Sequence, residues 1–324
     1  TIDDHSMILL MIISFFCGVS GALLIYHKGF QAGFTDQPNQ RSSHTKPTPK
    51  GGALGVVLAF IIASLWYDLD AVFVLPVLAV SLSGLADDRM ELSAGVRLLI
   101  QISAGCVLVY GFDFWYIPLW SLMFWVFFIT GTANCTNFMD GINGIAALTG
   151  IAAFFLLAFY LQLTGKLDDY TRVSLCVAVA LMGFLPFNFP RAKVFMGDTG
   201  SLLIGFMFGG LVCRFSGSLH EFFILASFFF SFYSDELITM AVRIKKGENL
   251  LTAHRRHLYQ ILVNEAGFSH FRVAGLYVVL QLFVGVSVLL LHKMDTKWTV
   301  FLLVVYFILF STCSVFVRQK YYET

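Results

Sequence analysis

The chain has 324 residues, of which 58% are apolar and 13% are charged, and its mean hydropathy is +0.78. This composition excludes a soluble domain and indicates an integral membrane protein. The formal net charge of +1 gives no information about partners, and we expect no nucleic-acid partner. The six cysteines lie mostly within apolar runs and lack Cys-x-x-Cys spacing, so they predict neither disulfides nor a zinc site.

Apolar runs predict an all-α, polytopic membrane protein with about eleven transmembrane helices, because roughly 20 apolar residues cross the hydrocarbon core. The second and third runs are short, so a split or a merger stays open there. We expect residues 1–324 to form a single integral membrane domain, although residues 1–6 could precede a native start at Met7. The runs lie at about 7–27, 51–67, 71–86, 94–112, 117–134, 142–164, 170–189, 201–219, 221–243, 271–292 and 298–317.

The distribution of Lys and Arg predicts the orientation, since cytoplasmic loops carry an excess of both. With an odd number of spans, a cytoplasmic basic side puts the amino terminus outside and the carboxyl terminus inside. Arg97 and Arg214 fall within spans. The other side carries only Lys166, Arg172, Lys293 and Lys297, whereas the basic side carries Lys28, Arg41, Lys46, Lys50, Arg89, Arg191, Lys193, Arg243, Lys245, Lys246, Arg255, Arg256, Arg272, Arg318 and Lys320.

Five polar stretches fall on the basic side, and we expect them to converge in one active site at the cytoplasmic face. They are residues 41–52, 84–91, 134–146, 195–205 and 243–260. The second contains Asp87 and Asp88 at the predicted end of a span, where the negative pole of a helix disfavours acidic side chains. Arg89, Arg97 or a metal ion would compensate. The alternative is a solvated pair that merely ends the helix.

The third stretch contains Asn134, Asn137, Asp140 and Asn143, which are spaced by three and would share one face of a helix. Such groups are costly to bury in an apolar segment without partners. Nearby, Gly141 and Gly144 would allow a ligand to approach the backbone closely. The alternative is a capped helix start at Asp140 or Asn143.

The fourth stretch places Asp198 at the start of an apolar run, followed by Thr199 and Ser201. A helix N-terminus with free amides can hold a phosphate, and Asp198 would bind the accompanying Mg²⁺, or Mn²⁺ in its place. Magnesium takes one or two carboxylates together with substrate phosphates, and the chain offers no His/Cys set suited to zinc. The alternative is that these residues only cap a helix.

The fifth stretch contains His254 and His257 with Arg255 and Arg256 between them. Arginine presents a planar fork that suits phosphate oxygens, although the segment could instead be a basic membrane anchor. The basic loop at 41–50 has the same alternative. Together, acidic ligands for a metal, arginines for phosphates and glycine-rich helix starts are the parts that phosphoryl transfer requires, and an apolar substrate would explain their place in a membrane.

These motifs also resemble, in order and over nearly the whole chain, those of the polyprenyl-phosphate N-acetylhexosamine-1-phosphate transferases. The resemblance rests on Pro47-Thr-Pro-Lys-Gly-Gly52, Asp87-Asp88, the Asn134 to Gly144 motif, Phe195-Met-Gly-Asp-Thr-Gly-Ser-Leu202 and His254-x-x-His257. It implies a UDP-N-acetylhexosamine and undecaprenyl phosphate as substrates, membrane lipids as surroundings, and the bacterial inner membrane as location. A homodimer is possible, but no segment shows an interface.

The resemblance also implies roles for individual residues. Asp198 would ligate Mg²⁺ with Asn137, and Asp87 and Asp88 would handle the lipid phosphate, one of them as a base. Asp140 would be essential to the catalytic centre. The substrate-binding residues implied are Asn134 in the same motif, Gly141 and Asn143 near the uracil, Arg97 near the phosphates, and His254, Arg255, Arg256 and His257 at the diphosphate.

One departure from the family pattern narrows the choice among the branches of the family. Arg255 and Arg256 fill the middle of the last motif, so the triple-His form of the phospho-muramoyl-pentapeptide branch is absent. The sequence therefore favours the branch that starts O-antigen, enterobacterial or teichoic-type glycans. It looks closest to O-antigen initiators that accept amino sugars such as N-acetylfucosamine or N-acetylglucosamine.

The expected reaction is attack of the lipid phosphate oxygen on the β-phosphorus of the UDP-sugar, with release of UMP. A direct displacement is favoured over a covalent aspartyl route, which stays open. Two other classes of function are a secondary transporter with a cytoplasmic-side anion site and a non-catalytic membrane scaffold. A transporter would place its polar groups near the bilayer midplane, where the predicted spans are apolar except for Arg214.

Overall fold

The computed structural model describes residues 4–38, 43–90, 92–112, 117–249 and 254–322. Parts of the predicted polar stretches, namely residues 41–42, 91 and 250–253, lie outside the described residues. Within the described ranges, ten helices are long and apolar enough to cross a membrane, and the shorter apolar helix Leu54–Trp66 lies at the second predicted run. The prediction of an all-α, multi-pass membrane protein is confirmed.

The elements follow the predicted runs closely, and two features were not predicted: a small two-stranded sheet and a short helix outside the spans. In chain order the elements are α1 (Asp4–Lys28), β1 (Thr35–Asp36), β2 (Thr48–Pro49), α2 (Leu54–Trp66), α3 (Ala71–Met90), α4 (Ala94–Gly111), α5 (Leu119–Met139), α6 (Ile145–Leu163), α7 (Asp169–Asn188), α8 (Asp198–Phe215), α9 (Leu219–Ala226), α10 (Phe230–Lys245), α11 (Leu258–Asn264), α12 (His270–Leu290) and α13 (Thr296–Tyr321).

The helices alternate in direction, so the polar loops collect at two ends of the bundle. At one end, here called the basic end, Lys50 before α2 approaches Asp88 of α3, and Arg318 of α13 donates to the backbone of Arg256. The opposite end joins α7 to the α2–α3 connection, where the Tyr170 hydroxyl donates to Asp70 over 2.7 Å. All five predicted polar stretches therefore meet at the basic end. Which side of the membrane this end faces stays a prediction.

Helix α8 forms the centre of the bundle, and nearly all of its residues are buried. It can be central because small residues let neighbouring backbones approach it, as is usual in membrane bundles. A Cβ at Gly84 of α3 would overlap the backbone of Asp198 and Thr199. The N-terminus of α8 is thus held directly against the end of α3, and this contact positions the site.

Three details differ from the sequence expectations. Helix α5 continues to Met139, so Asn134 and Asn137 lie inside a helix and not in a loop between spans. The ninth run is broken at Ser227–Phe229 into α9 and α10, and it buries Asp235, a carboxylate the sequence reading passed over. Arg214 lies in the last turn of α8 and pairs with Asp168 over 3.2 Å, so it belongs to the opposite end and not to the middle of a span.

Candidate active site

A cavity of about 280 Å³ opens at the basic end between the β1–β2 hairpin and the helix ends. It contains six of the predicted site residues, namely Asp88, Asn137, Asp140, Gly141, Asn143 and Asp198. The other walls consist of Asp36, Ser43, His44, Lys50, Ile142, Asn188, Phe195, Met196, Gly197, Gln260 and His270. The predicted residues Asp87, Arg97, Asn134, His254, Arg255, Arg256 and His257 are not part of this wall.

Asp88 is a buried cap for helix α8. Its carboxylate accepts hydrogen bonds from the backbone N–H groups of Asp198 and Thr199, at 3.1 and 3.3 Å, and from the Thr199 hydroxyl at 2.9 Å. The amides that we expected to hold a phosphate are therefore already occupied. The negative pole of α3, which disfavours Asp88, is compensated by the positive pole of α8 and by Lys50, whose Nζ lies 3.7 Å from Asp88.

The carboxylates of Asp87 and Asp198 share one guanidinium. Arg97 Nη1 donates to Asp87 Oδ2 over 2.8 Å and to Asp198 Oδ2 over 3.3 Å. Asp87 Oδ1 also accepts from the backbone N–H of Leu92 over 2.6 Å, which fixes the turn into α4. Of the alternatives Arg89, Arg97 or a metal ion for compensating the acidic pair, the structure shows Arg97 bound to Asp87, so Asp87 is not merely a solvated group at the end of its helix.

Gly197 makes the turn that brings Asp198 into this arrangement. Its φ is +78°, and a Cβ there would overlap a carboxylate oxygen of Asp88. Only glycine combines that backbone conformation with so close a contact. Asp198 is consequently the first residue of α8 and not its N-cap, so the capping role comes from α3.

The predicted ladder of amides is not one helical face. Asn134 pairs with Gln101 of α4, with its Nδ2 at 2.6 Å from Gln101 Oε1, and so turns away from the cavity. Asn137 Oδ1 accepts from the Ser201 hydroxyl over 3.0 Å and faces α8. The helix ends before Asp140, and Asn143 lies in the next turn with its Nδ2 on the carbonyl oxygen of Pro190. Proximity of Asn137 to Asp198 therefore depends on α5 packing against α8.

Asp140 faces the cavity in the turn between α5 and α6. Enclosure, and then the carboxylates of Asp198 and Asp88, raise the pKa of Asp140 well above its usual value. It does not cap α6, since Gly144 occupies that position without a side-chain hydrogen bond. The alternative that Asp140 or Asn143 is the N-cap of the following helix is therefore wrong.

The charges around the cavity are suited to a divalent cation. Lys50 and four carboxylates line the cavity, those of Asp36, Asp88, Asp140 and Asp198, and the Asp87–Arg97 pair lies beside it. Among the described residues, no three His, Cys, Asp or Glu side chains already form a metal cluster. Magnesium needs fewer protein ligands than that, because it keeps water and binds substrate phosphates. Asp198 and Asn137 offer the hard oxygens it prefers.

The segment 254–257 lies beside the cavity and faces other protein groups. His257 is buried, with Nε2 at 3.6 Å from Glu236 Oε2. Burial lowers the pKa of His257 to about 4 against the attraction of Asp235, and burial together with nearby cations lowers that of His254 to about 4. Both imidazoles are then neutral at pH 7 and cannot attract phosphate by charge.

The two arginines of this segment pair with glutamates. Arg255 donates to Glu265 over 2.6 Å, and Arg256 contacts Glu248. Contact with a diphosphate would require these guanidinium groups to exchange or share their partners. The assignment of residues 254–257 to the diphosphate stays a prediction.

Several cavity residues were missed by the sequence reasoning. Lys50 belongs to the Pro47 to Gly52 motif, but nothing in the sequence indicates that it pairs with Asp88. His270, whose Nδ1 accepts from the backbone N–H of Asn143 over 3.2 Å, begins a span 127 residues further on. Gln260 directly follows the segment singled out, so a slightly wider motif would have included it.

Tyr259 packs against the turn that carries Asp140. Its hydroxyl donates to the carbonyl oxygen of Phe138 over 2.8 Å, and its ring packs against Gly141. Burial, and then the charges of Asp235 and Asp140, hold the pKa of Tyr259 well above its usual value, so the hydroxyl keeps its proton.

We expect Gly141→Ala to reduce substrate turnover by about tenfold or more, because the new methyl group would overlap the Tyr259 hydroxyl. Tyr259 is fully buried and cannot swing away without disturbing its neighbours. The measurement is the initial rate of turnover in detergent. Gly275→Ala on α12 is the control, since its Cβ would meet nothing within 4 Å. Equal kinetics for both variants would contradict the expected contact.

Comparison with known proteins decides the family. The profile of glycosyl transferase family 4 matches residues 71–216. The decaprenyl-phosphate N-acetylglucosaminephosphotransferase of Mycolicibacterium smegmatis is 30% identical over 83% of this chain and 79% of its own length. The chain belongs to glycosyl transferase family 4.

Two further relatives of this family 4 protein are similar at comparable levels. The undecaprenyl-phosphate α-N-acetylglucosaminyl 1-phosphate transferase of Thermotoga maritima is 28% identical over 79% of this chain and 80% of its own. The probable undecaprenyl-phosphate N-acetylglucosaminyl 1-phosphate transferase of Bacillus subtilis is 34% identical over 54% of this chain and 53% of its own. The family match covers α3 to α8, which supply Asp87, Asp88, Arg97, Asn137, Asp140 and Asp198.

Proposed function

We propose that this family 4 protein transfers an N-acetylhexosamine-1-phosphate from a UDP-sugar to undecaprenyl phosphate at the cytoplasmic face of a bacterial membrane. The observation that carries the proposal is the meeting of Asp87, Arg97 and Asp198 beside the cavity that Asp140 and Asn137 line. The relatives support it, because their names describe transfer of N-acetylglucosamine phosphate to decaprenyl or undecaprenyl phosphate.

The proposed step is a direct displacement. An oxygen of the lipid phosphate forms a bond to the β-phosphorus of the UDP-sugar, and the bond from that phosphorus to the bridging oxygen breaks, so that UMP leaves. The lipid phosphate is already ionised at pH 7, so no general base is strictly needed. We therefore assign Asp87 to hold Arg97 in place, and a covalent aspartyl route is the second candidate.

Both substrates are anionic, so the protein must screen their repulsion. Among the described residues, both ion pairs of Arg97 use Nη1, which leaves other N–H groups of its guanidinium for phosphate oxygens. Lys50 adds a second positive charge at the cavity wall. When bound to Asp198 and Asn137, Mg²⁺ would supply further charge neutralisation for the diphosphate. Asp88 contributes by fixing the helix start that carries Asp198.

A lipid-facing groove between α4 and α5 suits the polyprenyl chain. It has a volume of about 620 Å³ and consists of Leu98, Ile102, Cys106, Leu122, Met123, Val126, Phe127, Thr130, Gly131 and Asn134. Leu98 follows Arg97 directly, and Asn134 lies one helical turn before Asn137. The groove therefore begins next to Arg97 and Asn137 and continues along the apolar parts of α4 and α5. An isoprenoid chain attached to a phosphate requires this arrangement.

We expect Gly131→Leu to raise the KM for undecaprenyl phosphate about fivefold or more, because a Cβ there meets nothing within 4 Å and the side chain would extend into the groove. The KM for the UDP-sugar should stay unchanged. Gly275→Leu is the matched control, since this helical glycine is also open on its outer side. A KM for the lipid that is unchanged in Gly131→Leu would remove the groove from the proposal.

The donor sugar and the pathway are the finer part of the proposal. N-acetylglucosamine is the sugar in the relatives' names, and we infer initiation of O-antigen or a related surface glycan from the Arg255 and Arg256 variant of the last motif. A secondary transporter gains no support, because the relatives are transferases and Arg214 lies at the opposite end.

The test is incubation of the purified protein with Mg²⁺, undecaprenyl phosphate and a panel of UDP-N-acetylhexosamines. The expected result is UMP release that depends on the lipid phosphate and on the divalent ion, with one donor preferred. Absence of UMP with every donor would refute the proposal. Flux of a UDP-sugar across proteoliposomes without UMP release would favour transport instead.

A further inference from the structure

Asp235 is a fully buried carboxylate of α10, and besides the Thr239 hydroxyl of the same helix it accepts hydrogen bonds from two other elements. Oδ1 accepts from the backbone N–H of Leu258 over 2.7 Å, and Oδ2 accepts from that of Tyr259 over 3.2 Å. The Tyr277 hydroxyl of α12 donates to Oδ2 over 2.6 Å. One side chain of α10 thus supplies the acceptors for the first amides of α11.

Arg318 of α13 reinforces the same connection. Its Nη2 lies 3.9 Å from Asp235 Oδ1 and donates to Thr239 over 2.8 Å, while Nη1 donates to the carbonyl oxygen of Arg256 over 2.7 Å. Arg318 is itself buried. Helix α10 therefore holds the first amides of α11, α13 holds Arg256 just before it, and α12 joins this cluster through Tyr277.

The cavity side of the same segment contacts the Asp140 turn. Tyr259, whose amide is held by Asp235, donates through its hydroxyl to the carbonyl oxygen of Phe138. The next residue, Gln260, lines the cavity and its side chain accepts from the backbone N–H of His257. A continuous chain of contacts thus joins Asp235 to the turn that carries Asp140 and Gly141.

We propose that Asp235 is a positioning residue of the transfer reaction: it fixes α11 and, through Tyr259, holds the Phe138–Gly141 turn in the conformation that binds the nucleotide donor. The inference rests on the proposed function for its kinetic consequence, and on the structure alone for the coupling between Asp235 and the turn. Burying a carboxylate is costly, because its charge is removed from water. A specific role for Asp235 would explain why the chain has a carboxylate at this position.

Hydrogen–deuterium exchange tests the coupling without reference to activity. In Asp235→Asn, amide exchange in residues 254–264 should become about tenfold faster or more, because the first amides of α11 lose a charged acceptor. Exchange in residues 138–144 should also accelerate. Ser231→Ala is the matched control, since Ser231 lies one turn earlier on α10 and bonds Gln281 of α12 without touching the segment. Unchanged exchange in residues 138–144 would overturn the coupling.

Kinetics test the consequence for the reaction. Asp235→Asn and Tyr259→Phe should each raise the KM for the UDP-sugar about tenfold, and the double variant should be little worse than either, since both remove the same connection. Ser231→Ala should leave this KM unchanged. Additive effects, or a loss confined to kcat, would contradict a positioning role that acts through Tyr259.

Two outcomes separate this inference from the proposed function. If the wild-type protein releases no UMP but the exchange results hold, the proposed function fails and the coupling stands. If UMP is released and Asp235→Asn binds the donor normally, the coupling fails and the function stands. Should Asp235→Asn not fold, Tyr277→Phe removes one donor to the same carboxylate and should raise the donor KM several-fold; an unchanged KM and unchanged exchange in this variant would overturn the inference.

Discussion

Asp198→Asn is expected to lower lipid-dependent UMP release by about 10²–10³-fold or more, while the protein stays folded. Asp198 is the carboxylate at the centre of the arrangement: it contacts Arg97, starts α8 and lines the same cavity as Asn137. Asparagine keeps the shape and removes the negative charge, so the helix start should remain while the proposed Mg²⁺ site would lose its carboxylate ligand. The measurement is the initial rate of UMP release against Mg²⁺ concentration.

The matched control is Asp169→Asn, which removes a carboxylate from the first turn of a helix at the opposite end. This variant should keep full activity. Thermal unfolding in detergent should give similar midpoints for both variants and the wild type. Retention of activity and of its Mg²⁺ dependence in Asp198→Asn would exclude Asp198 from the metal site.

Asp88→Asn is expected to lower both activity and stability, and this combination distinguishes it from its neighbour. Asp88 accepts from two backbone amides and a hydroxyl in a buried position, so an asparagine would turn an N–H₂ group toward donors. Leaving such groups unsatisfied costs about 1–3 kcal/mol of the free energy of unfolding. Because the same bonds fix Asp198, we expect UMP release to fall by about 10²-fold. The measurements are the unfolding midpoint in detergent and the initial rate.

Asp87→Asn serves as the comparison for Asp88→Asn. Asp87 is less buried, and its partners are Arg97 and the Leu92 amide, so its loss should slow the reaction with a smaller change in the unfolding midpoint. If the two variants show the same stability, the capping role of Asp88 is wrong. A normal rate in Asp88→Asn would show that the start of α8 does not need this cap.

The outcome for individual residues shows how far the sequence reasoning reached. Asp198, Asp140 and Asn137 were predicted from their type and spacing, and the structure brings all three to one cavity. Asn134 shares the same spacing but turns to Gln101, because the neighbour across the helix interface decides which residue faces the site. Periodicity along one helix contains no information about that neighbour.

Asp87 and Asp88 illustrate the same limit within two residues. As a sequence they are an acidic pair, and only the packing of α3 against α8 separates a residue that holds Arg97 from one that caps a helix. Asp235 is the opposite case, because the structure gives it a central place that the sequence did not indicate. Asp235 and the adjacent Glu236 match none of the motifs in the sequence, and the four donors to Asp235 come from residues between 4 and 42 positions away.

The sequence by itself determined the membrane class and the identity of the acidic and amide groups at the basic end. It also determined the number of apolar segments, of which only the second is shorter than the ten membrane-spanning helices in the described part of the chain. These follow from transfer of side chains between water and lipid, which depends on composition along the chain. The tertiary structure alone decided which carboxylate faces the cavity, which one caps α8, and how α11 is tied to α10. Those outcomes depend on contacts between distant segments, where hydrogen bonds form only if the helices pack in one particular register.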